Sequence, residues 1–133
     1  MLAVPPPDTG SVEQDVLALM GVTRRMYVDP GTASLLPALV AAIARSARVA
    51  EAARSGMAAA WNAAMTAVLR RGVARGALRA DADVALALDL LAGPLFYRYL
   101  WLGTPIDEPY VRAVVAAVLD HLAPTGNVPA TDS

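Results

Sequence analysis

The sequence contains no cysteine, no lysine and a single histidine, His121. Without cysteine there is no disulfide, no thiolate metal site and no thiol nucleophile. One histidine with no cysteine partner makes no zinc set. No nucleophile stands at a recognisable spacing from it either, so neither a catalytic residue nor a metal nor a cofactor is expected. His121 falls in the last turn of a helix, where a cation meets the negative end of the dipole, and it reads as a surface residue. The eleven basic residues are all arginine, and twelve acidic residues bring the formal charge to -1. That balance gives no bulk pull toward nucleic acid or an anionic membrane surface. Arg48, Arg54, Arg70, Arg71 and Arg75 gather in the middle of the chain without the interleaved aromatics that stack on bases. They read as solvated helix ends, and no DNA-binding residue is expected here.

What is present is apolar. Hydrophobic residues make up 56% of 133 positions, and alanine alone fills 29 of them. A chain of this length suits one domain able to bury about two thirds of its unfolded surface. The N-terminus lacks the basic and apolar segments of a secretory leader. One stretch, Val84 to Leu102, is long and apolar enough to raise the question of a membrane span. It carries Asp89, Pro94 and Arg98, and each charge costs roughly 2.5–3.5 kcal/mol at mid-bilayer on insertion scales. A soluble helix buried on two sides accounts for it better, and no membrane partner is expected.

The periodicity predicts an all-α fold of five helices, with a sixth if the long third one breaks, and no strands. Residues 1–10, with Pro5, Pro6 and Pro7, read as an extended, poorly ordered lead-in. Residues 11–123 form the domain, and 124–133 read as a flexible tail. Ser11 and Gln14 have capping-box spacing at the start of the first helix. Its stripe is Val12, Val16, Leu19, Met20 and Tyr27, interrupted by the hydroxyl of Thr23. Asp29-Pro30-Gly31 stops it. A second helix is expected from about Thr32 to Ala44, or from near Ser34, since Pro37 is tolerated in a first turn. The third runs from about Ala47 to Arg75, with Gly56 as a bend or break and Gly76 as C-cap. The fourth starts from Asp81 or Asp83 and ends at Gly103, kinked at Pro94 because the carbonyl of Leu90 loses its partner. The fifth starts near Asp107. It carries an apolar face of Val111, Val114, Val115, Val118, Leu119 and Leu122. A second face of Ala113, Ala116 and Ala117 lets another helix approach closely.

Two groups of residues have more than one reading. Met57, Trp61 and Met65, together with Met20, Tyr27, Phe96, Tyr97 and Trp101, are either an ordinary core or the lining of an apolar pocket. Asn62, Thr66 and Tyr27 are the polar anchors such a pocket offers. Asp89 sits inside an apolar helix and must face solvent, a partner or a cavity. Arg98 projects from the opposite side nine residues on, so the two do not pair within one helix.

The run RGVARGALRADADVALALDLLAGPLFYRYL, Arg71 to Leu100, resembles the C-terminal domain of TetR-family transcriptional regulators, as does GTPIDEPYVRAVV, Gly103 to Val115. PDTGS (Pro7 to Ser11) and DPGTASLLPALVAA (Asp29 to Ala42) are similar to the start of that domain and its second helix. The resemblance implies a small-effector site among the helices and a homodimer in which the last two helices of each subunit form a four-helix bundle. It places Asp89, Ala92, Phe96, Tyr99, Leu100, Ala113, Ala116, Ala117 and Asp120 as candidates for the dimer interface. It places Met20, Tyr27, Met57, Trp61, Asn62, Met65, Phe96, Tyr97 and Trp101 as candidates for the effector pocket. The helix-turn-helix half of such regulators has no counterpart in these residues, so operator DNA is a partner only through a missing N-terminal domain. The expectation is a cytoplasmic, non-enzymatic domain that senses a small apolar or amphipathic effector. The alternative is a helical homodimeric interaction module that binds nothing small.

Overall fold

The computed structural model describes residues 5–125; residues 1–4 and 126–133, and with the latter most of the expected tail, lie outside the described residues. The described residues form five helical rods and no strand. The first is α1 (Val12–Val28). The second is bent: α2 (Pro30–Ala33) is a single turn, followed by α3 (Leu36–Arg45). The third comprises α4 (Ala47–Ala53), a π-helical turn (Arg54–Ala58) and α5 (Ala59–Ala74). The fourth is α6 (Val84–Tyr97), ending in a π-helical turn (Arg98–Leu102). The last is α7 (Glu108–Leu122).

Helix ends follow local chemistry. The Ser11 hydroxyl accepts from the Gln14 N–H at 3.2 Å. The reciprocal half of the expected capping box is not made, because the Ser11 N–H donates to the Thr9 hydroxyl instead. Asp83, not Asp81, caps α6 through the Leu86 N–H at 3.0 Å, and Asp107 caps α7 through Tyr110 at 2.9 Å. Asp81 instead lies 3.4 Å from the Arg79 Nε. Gly103 takes a left-handed φ of 64°, a conformation that favours glycine, and ends the fourth rod.

Three expectations change. The second helix does not run unbroken from Thr32. Asp29 ends α1, and its carboxylate also caps Gly31, so a new turn starts at once, with Pro30 supplying a preset φ at its first position. The axis turns by 67° between α1 and the α2–α3 rod. At Gly56 the helix does not stop, but widens into a π-helical turn. α6 runs helically through Pro94, and the irregularity comes four residues later as the second π-helical turn.

The core lies where α1, α5, α6 and α7 meet. Val16, Met20, Met65, Leu69, Leu91, Leu95, Val115 and Leu122 are at most 1% exposed. α6 contributes Ala87, Leu91 and Leu95 to it, a single face. Val84–Leu102 is therefore not buried on two sides: only 17% of this stretch is interior, although its length and composition match those of a membrane-crossing helix.

The lead-in is fastened rather than loose over Pro7–Gly10. Arg75 grips Asp8 with two hydrogen bonds of 2.9 and 3.1 Å, and Arg71 donates to the Pro7 carbonyl. The N–H and hydroxyl of Thr9 both donate to the buried carboxylate of Asp15, at 3.0 and 2.7 Å. The Arg75 hydrogen bond, with the Arg71 and Arg75 charges, holds the Asp8 carboxyl below its ordinary value of 3.8 against partial desolvation. A lowered carboxylate pKa stabilises the fold above the ordinary value, and that contribution fades as pH falls through the lowered one.

Gly72 marks the tightest approach. A Cβ there would lie 3.0 Å from both Leu78 Cδ1 and Val12 Cγ2. Gly72→Ala is expected to destabilise the chain by about 1–2 kcal/mol in urea unfolding, since overpacking outweighs alanine's helix preference of about 1 kcal/mol. An unchanged or raised midpoint would show that Leu78 and Val12 move aside without cost.

Candidate functional site

The residues expected to line a pocket separate into three environments. Met20 and Met65 are fully buried and belong to the central core. Met57, Asn62, Tyr97 and Trp101 face outward, Trp101 with 80% of its surface exposed. Phe96 is also exposed, at 41%, but packs against Tyr27; Tyr27 and Trp61 are half-buried, and both reach neighbouring rods through specific contacts.

Tyr27 is in the last turn of α1. Its ring meets Phe96 edge-on at 6.4 Å between centroids and Tyr99 at 5.4 Å. The Tyr99 hydroxyl donates to the carbonyl of Ala33, the last residue of α2. Tyr99 is thus drawn inward to hold the second rod against the fourth, instead of facing outward as expected for a dimer contact. Burial pushes the Tyr27 phenol up to about 12. Trp61, on α5, donates its indole N–H to the Thr23 hydroxyl at 2.8 Å, and that hydroxyl donates onward to the Leu19 carbonyl at 2.9 Å. Thr23, read in sequence as a break in the apolar stripe, is the buried acceptor that an indole N–H at this position requires. The missed signal was the indole itself, which needs a partner wherever it is covered.

The polar atoms of this cluster are largely committed to protein partners. What it offers a ligand is aromatic surface around Tyr27 and Phe96. Two hollows lie elsewhere. One, of about 200 Å³, runs between α1 and α7 past Leu17, Gly21, Arg24, Arg25, Glu108, Val111 and Arg112. The other, of about 270 Å³, lies where the lead-in crosses α1 and α5, between Gly10, Asp15, Arg71 and Gly72. None of the expected pocket residues lines either one.

The association candidates sort more cleanly. Along α6, Leu86, Asp89, Leu90, Gly93, Phe96 and Tyr97 are exposed at helical spacing on the side away from Ala87, Leu91 and Leu95. Ala92 and Leu100 are half-buried at its edge. Asp89 is solvent-exposed in the protomer. Arg98 stacks its guanidinium 3.5 Å above the Tyr110 ring and donates to the Pro105 carbonyl, so it clasps the loop into α7 and makes no pair with Asp89. On α7, Ala113, Ala116, Ala117 and Asp120 are all exposed, opposite the buried Val111, Val115, Val118 and Leu122. His121 is exposed in the last turn. Among the described residues no group of three His, Cys, Asp or Glu is placed to hold a metal ion.

Comparison with known proteins agrees with this layout. A family profile described as the tetracyclin repressor-like C-terminal domain matches residues 6–118. The chain is 31% identical over 113 residues to YdeS of Bacillus subtilis, an uncharacterized HTH-type transcriptional regulator, covering 84% of this chain and 56% of that protein. It is 34% identical over 113 residues to the DNA-binding transcriptional repressor TetR of Mycobacteroides abscessus, covering 84% of this chain and 58% of that one. The crystal structure of the TetR family transcription regulator SCO0332 superposes with a TM-score of 0.80 at 30% identity, over 92% of this chain and 67% of its own. The chain thus spans a little over half the length of the curated relatives it matches.

The half-buried phenol of Tyr27 gives a direct readout of the cluster. In an alkaline absorbance titration one tyrosine should ionise near 12, later than ordinary tyrosines near 10, and Tyr27→Phe should remove that late step. Because the raised pKa favours the neutral folded form, stability should fall as pH rises from about 10 toward 12. Four tyrosines ionising together near 10 would mean that the cluster is open to water.

Proposed function

The chain belongs to the TetR family of transcriptional regulators, as its C-terminal domain, and from that premise we propose that it is the effector-sensing and dimerising half of a cytoplasmic repressor. It is a regulator's domain and not an enzyme. The observation that carries the proposal is the outward face of α6. Leu86, Leu90, Phe96 and Tyr97 are each 40–56% exposed in the isolated protomer. Together with the alanine face of α7 they form two adjacent helix faces with little else to do. Large exposed apolar faces mark association surfaces, and a second copy covers both with the same pair. In such a four-helix arrangement Gly93, Ala113, Ala116 and Ala117 allow close backbone approach.

Effector sensing is supported by the Tyr27–Phe96–Tyr99 cluster and by the α2–α3 rod as its roof. The α2–α3 rod is bent away from α1, and the Tyr99–Ala33 hydrogen bond ties it to the π-helical turn that ends the fourth rod. A small, mostly apolar effector is accommodated by displacing this roof and stacking on Tyr27 and Phe96, beside Trp61. Such a ligand acts by binding one arrangement of the rods more tightly than another, which is the only way it can shift their equilibrium. Operator DNA is then released through helix-turn-helix heads outside these residues. One observation favours the plainer reading, a dimerising module with no ligand: Met20, Met65, Leu91 and Leu95 leave the centre of the protomer filled.

Two sets of variants separate these readings. Ala116→Glu and Leu90→Glu should each weaken the dimer at least tenfold (about 1.4 kcal/mol) in sedimentation velocity, because each places a charge on the covered face. A dimer indifferent to both would remove α6 and α7 from the interface. In a thermal-shift screen of apolar small molecules, hits should lose affinity in Trp61→Ala while the dimer persists. Hits bound equally well by that variant would exclude the cluster as their site.

A further inference from the structure

We propose that the groove between α1 and α7 is a second ligand site, built for a small organic acid with a short apolar chain. It is independent of the aromatic cluster, none of whose members lines it. Arg24 and Arg25 come from α1, and Arg112 and Glu108 from α7; Leu17, Gly21 and Val111 form the apolar part. Three arginines and one glutamate thus line the same groove. The ion pairs among the described residues join Asp8 to Arg71 and Arg75, and Asp81 to Arg79. None of the groove arginines makes one. An anion placed among them would meet cationic side chains that no carboxylate among the described residues pairs.

Two further features point the same way. Arg24 is held in place rather than free, since its Nε–H donates to the Ile106 carbonyl at 2.9 Å across the start of α7. Its terminal N–H groups have no acceptor among the described residues. A guanidinium fixed in this way presents its remaining donors at little entropic cost, in the fork geometry that a carboxylate matches. The second feature is Gly21. Glycine inside a helix costs about 1 kcal/mol relative to alanine. At Gly72 close packing against Leu78 and Val12 accounts for that cost; at Gly21, as at Gly56 and Gly93, a Cβ would meet nothing within 4 Å. Of these three open glycines Gly21 is the one that lines the groove.

The volume, about 200 Å³, lies below the roughly 300–1,000 Å³ of pockets for drug-sized ligands. It suits an acid of a few carbons, with its carboxylate on the arginines and its chain along Leu17 and Val111. Neutral apolar molecules lack the charge this rim calls for. A bare inorganic anion leaves the apolar part unused.

The test is a two-dimensional amide NMR titration of the full chain with hexanoate, hexanol and inorganic phosphate in parallel. Hexanoate should bind saturably at millimolar concentrations or below, with shifts centred on residues 17–25 and 108–112. Hexanol and phosphate should each bind at least tenfold more weakly. The double variant Arg25→Gln, Arg112→Gln, altering two exposed residues, should lose at least tenfold in hexanoate affinity. Gly21→Leu should fill the groove and abolish binding while the spectrum stays that of a folded chain. Should that variant fail to fold, the arginine pair alone decides. The proposal is overturned by non-saturable hexanoate shifts, by shifts centred elsewhere, by hexanol or phosphate binding as well as hexanoate, or by undiminished affinity in the arginine variant or a folded Gly21→Leu chain.

Discussion

α6 carries more apolar surface than one protomer can bury, and the rest of the molecule is arranged around that constraint. One face, Ala87, Leu91 and Leu95, sits at the centre of the core against α1, α5 and α7. The other, Leu86, Leu90, Phe96 and Tyr97, is left in water. A helix apolar on both sides stays soluble only if something covers the second side. α7 is complementary in composition: its valines and leucines fill the protomer core, and its alanines present a low, close-packing surface outward. On the proposed reading, this division of labour between the two helices is what would let a five-rod protomer form half of a larger bundle.

The polar contacts serve a different purpose from the core. Besides the local caps, a few join elements far apart in sequence. Thr23 links α5 to α1 through the indole of Trp61, Tyr99 links the fourth rod to α2, Arg24 links α1 to the entrance of α7, and Asp8 fastens the lead-in to α5. A neutral hydrogen bond of this kind contributes only about 0.5–1.5 kcal/mol, far less than the burial of the core side chains. Their effect is on position. Each fixes the angle at which one rod meets another, and a ligand that alters one of them changes geometry more than stability.

Much of this was legible in the sequence because it is local. Helix starts at Ser11, Asp83 and Asp107 and the stop at Gly103 follow from capping chemistry within a few residues. The faces of α7 follow from spacing alone. The division of the second rod was hidden because Asp29-Pro30-Gly31 ends one helix and begins the next, and only the first role was read. The π-helical turns at Arg54–Ala58 and Arg98–Leu102 depend on how a long helix must curve to meet its neighbours, which no single-helix pattern records. Assigning Met20 and Met65 to a pocket failed to separate a core stripe from a cavity lining, because both have the same composition. Tyr99 was placed on the outward face because its hydroxyl partner, Ala33, is distant in sequence. The groove between α1 and α7 was illegible for the same reason: Arg24 and Arg112 meet only in the folded chain.

The absence of cysteine makes the central claim easy to test directly. A single cysteine introduced at Leu90 is the chain's only thiol, and if α6 faces α6 or α7 of a second copy it should be joined to its counterpart by a short bis-maleimide within minutes at micromolar concentration. A single cysteine at Asn62, exposed on α5, serves as the reference for random collision. Rapid, dilution-resistant cross-linking at Leu90 and slow cross-linking at Asn62 is the predicted result. Equal, concentration-limited rates at the two positions would contradict the account, since the outward face of α6 would then be as free in solution as any other surface.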